Sequence, residues 1–169
     1  NILLLSQLGT VTGQAFSDVL LGKSYPSGKL TSTWATAEDY SYIKDFGQND
    51  DTNYFEGIFV GYRYFDATKT NPLFPFGYGL GYTDFSIDVE SFDVYGKTIT
   101  VKANVKNTGS FPGKETVMLF YSSPKGALVK PLRELGAYKK TKELLPGECE
   151  TVILELPIEN MASWEEKNS

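Results

Sequence analysis

Glu56 is the residue whose surroundings best suit acid–base chemistry. It lies in Asn53-Tyr54-Phe55-Glu56-Gly57-Ile58, among two rings and an aliphatic side chain. Partial burial there would disfavour the charged carboxylate, and a neutral carboxyl is what a general acid needs. A second assignment competes with this one and is preferred. Glu56 would then be structural, paired with Arg63 or accepting backbone hydrogen bonds near Gly57. Other chemistries are narrower still. The chain has no histidine and a single cysteine, Cys149. A His/Cys metal site and a Ser-His or Cys-His nucleophile are therefore excluded, as is an intrachain disulfide. Cys149 falls in an expected strand and is taken as a small buried hydrophobe.

The elements that would position Glu56 run from Asn53 to Phe85. The first half reads Asn53-Tyr54-Phe55-Glu56-Gly57-Ile58-Phe59-Val60-Gly61-Tyr62-Arg63-Tyr64-Phe65-Asp66. After a short polar turn comes Pro72-Leu73-Phe74-Pro75-Phe76-Gly77-Tyr78-Gly79-Leu80-Gly81-Tyr82-Thr83-Asp84-Phe85. Glycines at this density oppose a helix, each costing about 1 kcal/mol against Ala. Pro72 and Pro75 each delete a backbone donor and rule out a central strand in the second half. The expectation is an extended connector, with rings supplying buried area and glycines allowing turns and close approaches.

Those two blocks resemble the segment that joins the α/β-sandwich domain to the fibronectin type III-like domain in glycoside hydrolase family 3, which holds many β-glucosidases and β-xylosidases. The shared patterns are Tyr-x-Glu-Gly-Ile-x-Val-Gly-Tyr-Arg-Tyr-x-Asp and Pro-Leu-x-Pro-Phe-Gly-Tyr-Gly-Leu-x-Tyr-Thr-x-Phe. They are long and specific.

Residues 1–52 are similar to the tail of that α/β domain. Ile2 to Leu5 is an apolar run, expected as a strand covered on both faces. Gly9 to Gly13 reads as a turn. Ala15, Phe16, Val19 and Leu20 then share one helical face, with Gly22 as the C-terminal cap. Pro26-Ser27-Gly28-Lys29-Leu30 marks a further turn and matches the family's Pro-Ser-Gly-Lys/Arg-Leu motif, whereas Leu8-Gly9-Thr10-Val11-Thr12 departs from the family's usual turn. One strand and one helix cannot close a core. Leaving each of these side chains in water forfeits about 1.5–3 kcal/mol. Residues 1–35 are therefore expected to pack on material outside this sequence, or to be domain-swapped. Thr36 to Thr52 reads as a long acidic surface loop.

Residues 86–169 change character, to short strands between turns. In Thr98–Lys106, Ile99, Val101, Ala103 and Val105 share one face, a half-buried antiparallel strand. Thr116–Tyr121 is apolar on both faces and is expected to be central in its sheet. Arg133–Lys140 reads as an edge strand guarded by lysines. Thr151–Leu156 alternates, with Val152, Leu154 and Leu156 inward. Such spacing points to a β-sandwich. The segment also resembles the family's fibronectin type III-like domain through Val-x-Asn-Thr-Gly at 105–109, Gly-Lys-Glu at 113–115, Pro-x-Arg-Glu-Leu at 131–135 and Leu-x-Pro-Gly-Glu at 144–148. The fold class is thus α+β: an all-β fibronectin type III-like sandwich preceded by the tail of an α/β sandwich, joined by the 53–85 connector. The family's final strands are missing after Met161–Ser169, so the sandwich is expected to be truncated. A chain that opens without Met on a buried-type strand is read the same way, as a fragment.

For function, the resemblance implies a retaining mechanism, with two carboxyl groups typically about 5–5.5 Å apart. It places the nucleophilic Asp in a barrel domain and the acid/base Glu upstream in the α/β sandwich, both outside this chain. No catalytic residue is therefore assigned, no metal ligand, and no cofactor is called for. Trp34, Tyr40, Tyr42, Tyr54 and Tyr62 could stack on sugar rings, but core packing is preferred for them. The loop 36–53 is the better reach toward an active-site rim. Which residues bind substrate is left open. The expected partners are the rest of the enzyme, namely the barrel and the remainder of the α/β sandwich, and a β-linked gluco- or xylo-oligosaccharide bound by the whole. A net charge of −5 and a pI near 4.8 argue against nucleic acid and anionic membranes. No stretch nears the ~20 apolar residues of a membrane span. Compartment is left open, leaning to the cytoplasm because no signal peptide is visible. The alternative is a stand-alone fibronectin-type module for carbohydrate binding or adhesion.

Overall fold

The computed structural model describes residues 2–5, 7–40, 50–51 and 53–164. A single 3-10 turn, Gly9–Val11, runs straight into helix α1, Thr12–Leu20. The helix thus starts earlier than the sequence suggested. Its end is the expected one. Gly22 takes φ +70°, its N–H donates to Val19 O, and Lys23 N–H donates to Asp18 O. That is a Schellman closure, which needs a residue tolerant of the left-handed region. No residue of α1 is buried.

Ile2–Leu5 forms no strand, contrary to expectation, and all four side chains are exposed. Extended backbone becomes a strand only with a neighbour to bond, and none is present among the described residues. Residues 25–34, by contrast, pack within the chain rather than on outside material. Leu30 N–H donates to Tyr78 O, and Gly77 N–H donates to Leu30 O. Trp34 and Phe74 exchange both backbone hydrogen bonds in an antiparallel bridge.

The connector is not wholly extended. Tyr62–Thr68 is a second helix, α2. Glycine opposes a helix only from inside it, and here the glycines stand outside. Gly57 (φ +54°) lies in the preceding turn, and Gly61 (φ +55°, ψ −133°) occupies the N-cap in a region closed to other residues. The seven helical residues contain no glycine, and Lys69 ends them in the left-handed conformation.

Five strands follow among the described residues. β1 (Phe85–Tyr95), β2 (Thr98–Asn107) and β5 (Cys149–Pro157) form one antiparallel sheet in the order β1-β2-β5. β3 (Thr116–Tyr121) and β4 (Glu134–Lys140) form the other. Val101, Ala103 and Val105 of β2, Val117 of β3, Val152 and Leu154 of β5, and Leu144 make the core between them. The inward residues expected for β2 and β5 are the ones found. Cys149 is exposed rather than buried, because it has the outward parity of Thr151 and Ile153.

β3 is not central among the described residues, since β4 is its sole partner there. Both its faces are nonetheless covered. Val117 and Leu119 join the core, while Phe120 meets the rings of Tyr62 and Phe76 and Met118 lies against Gly77.

The turn after β2 is organised by Asn107, whose side chain is fully buried. Its Nδ2 donates to Phe111 O and Leu144 O, and its Oδ1 accepts from Thr83 Oγ1 and Gly109 N–H. A Cβ at Gly109 would lie 2.1 Å from Thr83 Oγ1, so only glycine fits.

Candidate functional site

Glu56 does not sit in the setting that sequence proposed. It is half-buried, but Tyr54, Phe55 and Ile58 around it are exposed, Tyr54 at 77%. Arg63 does not pair with it. Its guanidinium lies 3.6 Å from Glu134 instead. Phe59 N–H donates to the Glu56 backbone carbonyl, and among the described residues the Glu56 carboxylate has no partner.

The aromatic candidates diverge. Tyr62 is half-buried, with ring centroids 5.0 Å from Phe76 and 5.7 Å from Phe120. Tyr40 stacks edge-on against Phe65 at 5.4 Å and donates its hydroxyl proton to Thr33 O. Trp34 is exposed, its Nε1–H donating to Ser32 Oγ at 3.2 Å. Tyr42 and positions 41–49 of the acidic loop lie outside the described residues.

What the structure does assemble is a two-part joint between motifs that lie far apart in sequence. Gly-Tyr-Arg-Tyr-x-Asp meets Pro-x-Arg-Glu-Leu through three residue pairs. Arg133 donates Nε–H to Asp66 Oδ2 at 2.7 Å and Nη2–H to Asp66 Oδ1 at 3.2 Å. Arg63 pairs with Glu134. Leu135 N–H donates to the Tyr62 hydroxyl at 2.9 Å. The Arg133 guanidinium also lies 5.0 Å from the Phe120 ring centroid. The hydrogen bonds to Asp66 hold Arg133 above its ordinary pKa, against the opposing effect of burial. Tyr121 donates to Glu134, and burial first, then that carboxylate, push the Tyr121 phenol up. An open cleft of about 480 Å³ runs beside this joint, bordered by Thr33, Asp66, Thr70, Phe76 and Arg133.

The second part is Pro-Ser-Gly-Lys-Leu. Lys29 Nζ lies 2.9 Å from Glu115 and donates to Gly79 O at 3.0 Å. Lys140 of β4 donates to Ser27 O at 2.8 Å. Tyr25 fills a socket made of glycines. A Cβ at Gly81 would lie 1.8 Å from the Tyr25 hydroxyl, and one at Gly113 would lie 2.7 Å from its ring. Burial raises the Tyr25 phenol, with the Glu115 carboxylate adding to it. The signal available in sequence was charge complementarity between motifs, Arg63 and Asp66 in one against Glu134 and Arg133 in the other, and Lys29 against Glu115.

Chemically, this arrangement binds segments together. Asp66, Glu115 and Glu134 each lie within ion-pair distance of a basic side chain. Among the described residues no group of three His, Cys, Asp or Glu side chains could hold a metal ion.

The joint lies across the two stretches that match known families. Residues 1–82 match the Glycosyl hydrolase family 3 C-terminal domain, and residues 115–169 match the Fibronectin type III-like domain. Beta-glucosidase A of Butyrivibrio fibrisolvens is 42% identical over 98% of this chain and 22% of its own length. Thermostable beta-glucosidase B of Acetivibrio thermocellus is 42% identical over 88% of this chain and 20% of its own. Among solved structures, a beta-glucosidase from Paenibacillus barengoltzii superposes with a TM-score of 0.87 at 45% identity, over 92% of this chain and 17% of that one. Beta-glucosidase 3B from Thermotoga neapolitana, in complex with glucose, gives 0.86 at 41%, over 95% and 23%. The chain spans about a fifth of the length of these relatives.

Proposed function

The chain belongs to glycoside hydrolase family 3, and from that premise we propose that it is a non-catalytic scaffold portion of a retaining β-glucosidase-type hydrolase. The nucleophile and the acid/base carboxyl belong to the remainder of the enzyme, the barrel domain and the rest of the α/β sandwich. The substrate of the whole is a β-linked gluco- or xylo-oligosaccharide. Within this chain, residues 1–52 extend the α/β sandwich, 53–85 connect, and 86–169 form the sandwich. Glu56 takes no catalytic part. A retaining mechanism of two carboxyl groups calls for no cofactor.

One observation carries the reading. Both halves of the joint spend their charged groups on each other, Arg133 on Asp66 and Lys29 on Glu115. A side chain so engaged fixes geometry rather than transferring protons. The role is then to hold the α/β tail at a set position on the fibronectin-like unit.

The experiment compares this chain with the full-length polypeptide on an aryl β-glucoside. Hydrolysis is expected from the full length alone, with Glu56→Gln in the full length leaving kcat within about twofold. Hydrolysis by the isolated chain, abolished by Glu56→Gln, would overturn the proposal. The exposed rings of Trp34 and Tyr54 favour the other reading, a carbohydrate-binding module. Saturable binding of a cello-oligosaccharide to the isolated chain would support it.

A further inference from the structure

The cleft beside the joint is bordered by groups whose hydrogen-bonding capacity the joint does not use. Thr33 is 5% exposed, and its Oγ1 has no partner among the described residues. A desolvated hydroxyl of this kind stands at its full cost until something pairs with it. Tyr62 accepts from Leu135 N–H at 2.9 Å, and its own phenolic proton meets no acceptor among the described residues. Arg133 gives Nε–H and one Nη2–H to Asp66, which leaves its Nη1 amino group unspent there, on a side chain 44% exposed. Lys69 ends α2 in the left-handed conformation, is exposed, and makes no ion pair among the described residues.

All four side chains border the same hollow of about 480 Å³. Small-ligand sites run to about 300–1,000 Å³ and set a few convergent polar groups against apolar walls. The apolar wall here is Pro72, Pro75 and Phe76. Each unspent group is able to donate. The charged lining residues are two bases, Lys69 and Arg133, and one acid, Asp66, in a chain whose net charge is −5. The local balance is therefore a single positive charge, opposite in sign to the whole.

We propose that this cleft binds a small organic monocarboxylate with an apolar body. Its carboxylate meets Lys69 and the free edge of Arg133, and its body lies against Pro72, Pro75 and Phe76. An ionised carboxylate only accepts, which is what a wall of unspent donors calls for. A neutral sugar would bring hydroxyl donors of its own to that wall. The single charge of the ligand matches the local excess, whereas a phosphate dianion would exceed it and set a further negative charge beside Asp66. The bound acid would bridge α2 and the segment leading into β4, and so tighten the joint. This inference goes beyond the scaffold reading and does not rest on it.

The test follows amide hydrogen exchange at Thr70 and Leu135 in the full-length polypeptide as sodium benzoate is added, with ionic strength held constant by sodium chloride. Thr70 N–H donates to Phe65 O and Leu135 N–H to the Tyr62 hydroxyl, so both amides report on the cleft. At benzoate about tenfold above its Kd, both should slow about tenfold, as for a ligand that binds only the closed form. Benzamide, a neutral analogue of the same shape, and glucose should each change them less than about twofold at the same concentration. Lys69→Met should raise the benzoate Kd about tenfold or more, the worth of one charge-assisted hydrogen bond. Its baseline exchange should match the unsubstituted protein, because the Lys69 ammonium bonds nothing among the described residues. Thr33→Val should weaken benzoate while leaving the unfolding midpoint equal or higher, since it removes an unpaired buried hydroxyl. A merely structural threonine would lower both. Equal slowing by benzamide or glucose overturns the proposal. So does a benzoate response that Lys69→Met leaves intact, or no response to benzoate at all.

Discussion

Residues 7–21 and residues 25–34 belong to one family-matched segment, and the earlier stretch is the more apolar, yet it is the later one that the structure packs. The later stretch is pinned by Lys29, by the Tyr25 socket and by the Trp34–Phe74 bridge. The earlier one forms a helix closed at its C-terminus by Gly22, with no buried residue. The helix shows that local signals, a Schellman glycine and the one-face spacing of Ala15, Phe16, Val19 and Leu20, suffice to shape backbone. Burial needs a surface to meet. At about 25 cal/mol per Å² of apolar area, α1 gains little until one is supplied.

The largest expected effect comes from breaking the held region at its centre. Asn107→Ala removes a buried amide that satisfies two donors and two acceptors. The stranded groups, Leu144 O above all, should cost about 3 kcal/mol or more. Denaturant unfolding of the whole chain would measure it, and a loss under about 1 kcal/mol would show that water replaces the amide freely.

Gly81→Ala is more selective. The added methyl collides with the Tyr25 hydroxyl, and forced repacking of this kind costs about 1–3 kcal/mol. Amide exchange at Leu30 and Trp34 should accelerate while Val105 stays protected. Parallel acceleration at all three would mean that the pinned stretch and the sandwich unfold as one unit, erasing the contrast between them.

Asp66 and Arg133 come next. Asp66 is 19% and Arg133 44% exposed, so solvent screens the pair, and a double-mutant cycle with Asp66→Asn and Arg133→Met should give a coupling of about 1 kcal/mol. The bidentate geometry and the Phe120 stack place it above an ordinary surface pair. Zero coupling would leave this part of the joint to the Tyr62 hydrogen bond, the Arg63–Glu134 pair and ring packing.

Sequence was legible where one period held. Ile99, Val101, Ala103 and Val105 were read inward, as were Val152, Leu154 and Leu156, because a half-buried strand repeats every two residues. The same parity places Cys149 outward, against its reading as a buried hydrophobe. β1 escaped notice because a bulge between Val89 and Ser91 shifts its phase, so Ile87 and Val89 fall out of step with Phe92 and Val94. α2 was missed because Gly57 and Gly61 were counted as interior when they are punctuation. The Arg63 partner was sought nearby, at Glu56, and lies on β4. A contact so distant in sequence leaves no local trace beyond the complementary charges of two motifs.

The weakest lever is an exposed pair that contrasts with the Arg133 joint. Lys142 Nζ lies 2.7 Å from Glu148. The Lys142 hydrogen bond, then the Leu145 N–H, hold the Glu148 carboxyl below its ordinary value of 4.5, and the same bond raises Lys142 above 10.5. A depressed carboxyl stabilises above its unfolded pKa and loses that contribution as pH falls through the folded one. A raised amine does the reverse, contributing below 10.5 and losing its share as pH rises through the folded value. Lys142→Met should therefore lower the unfolding midpoint slightly at neutral pH. The gap from the unsubstituted chain should close near pH 2, about two units below the usual carboxylate range. It should also shrink in about 1 M salt, where screening acts within roughly 3 Å. A gap that survived both acid and salt would show that the Lys142 stem, packed along the turn, matters more than its charge.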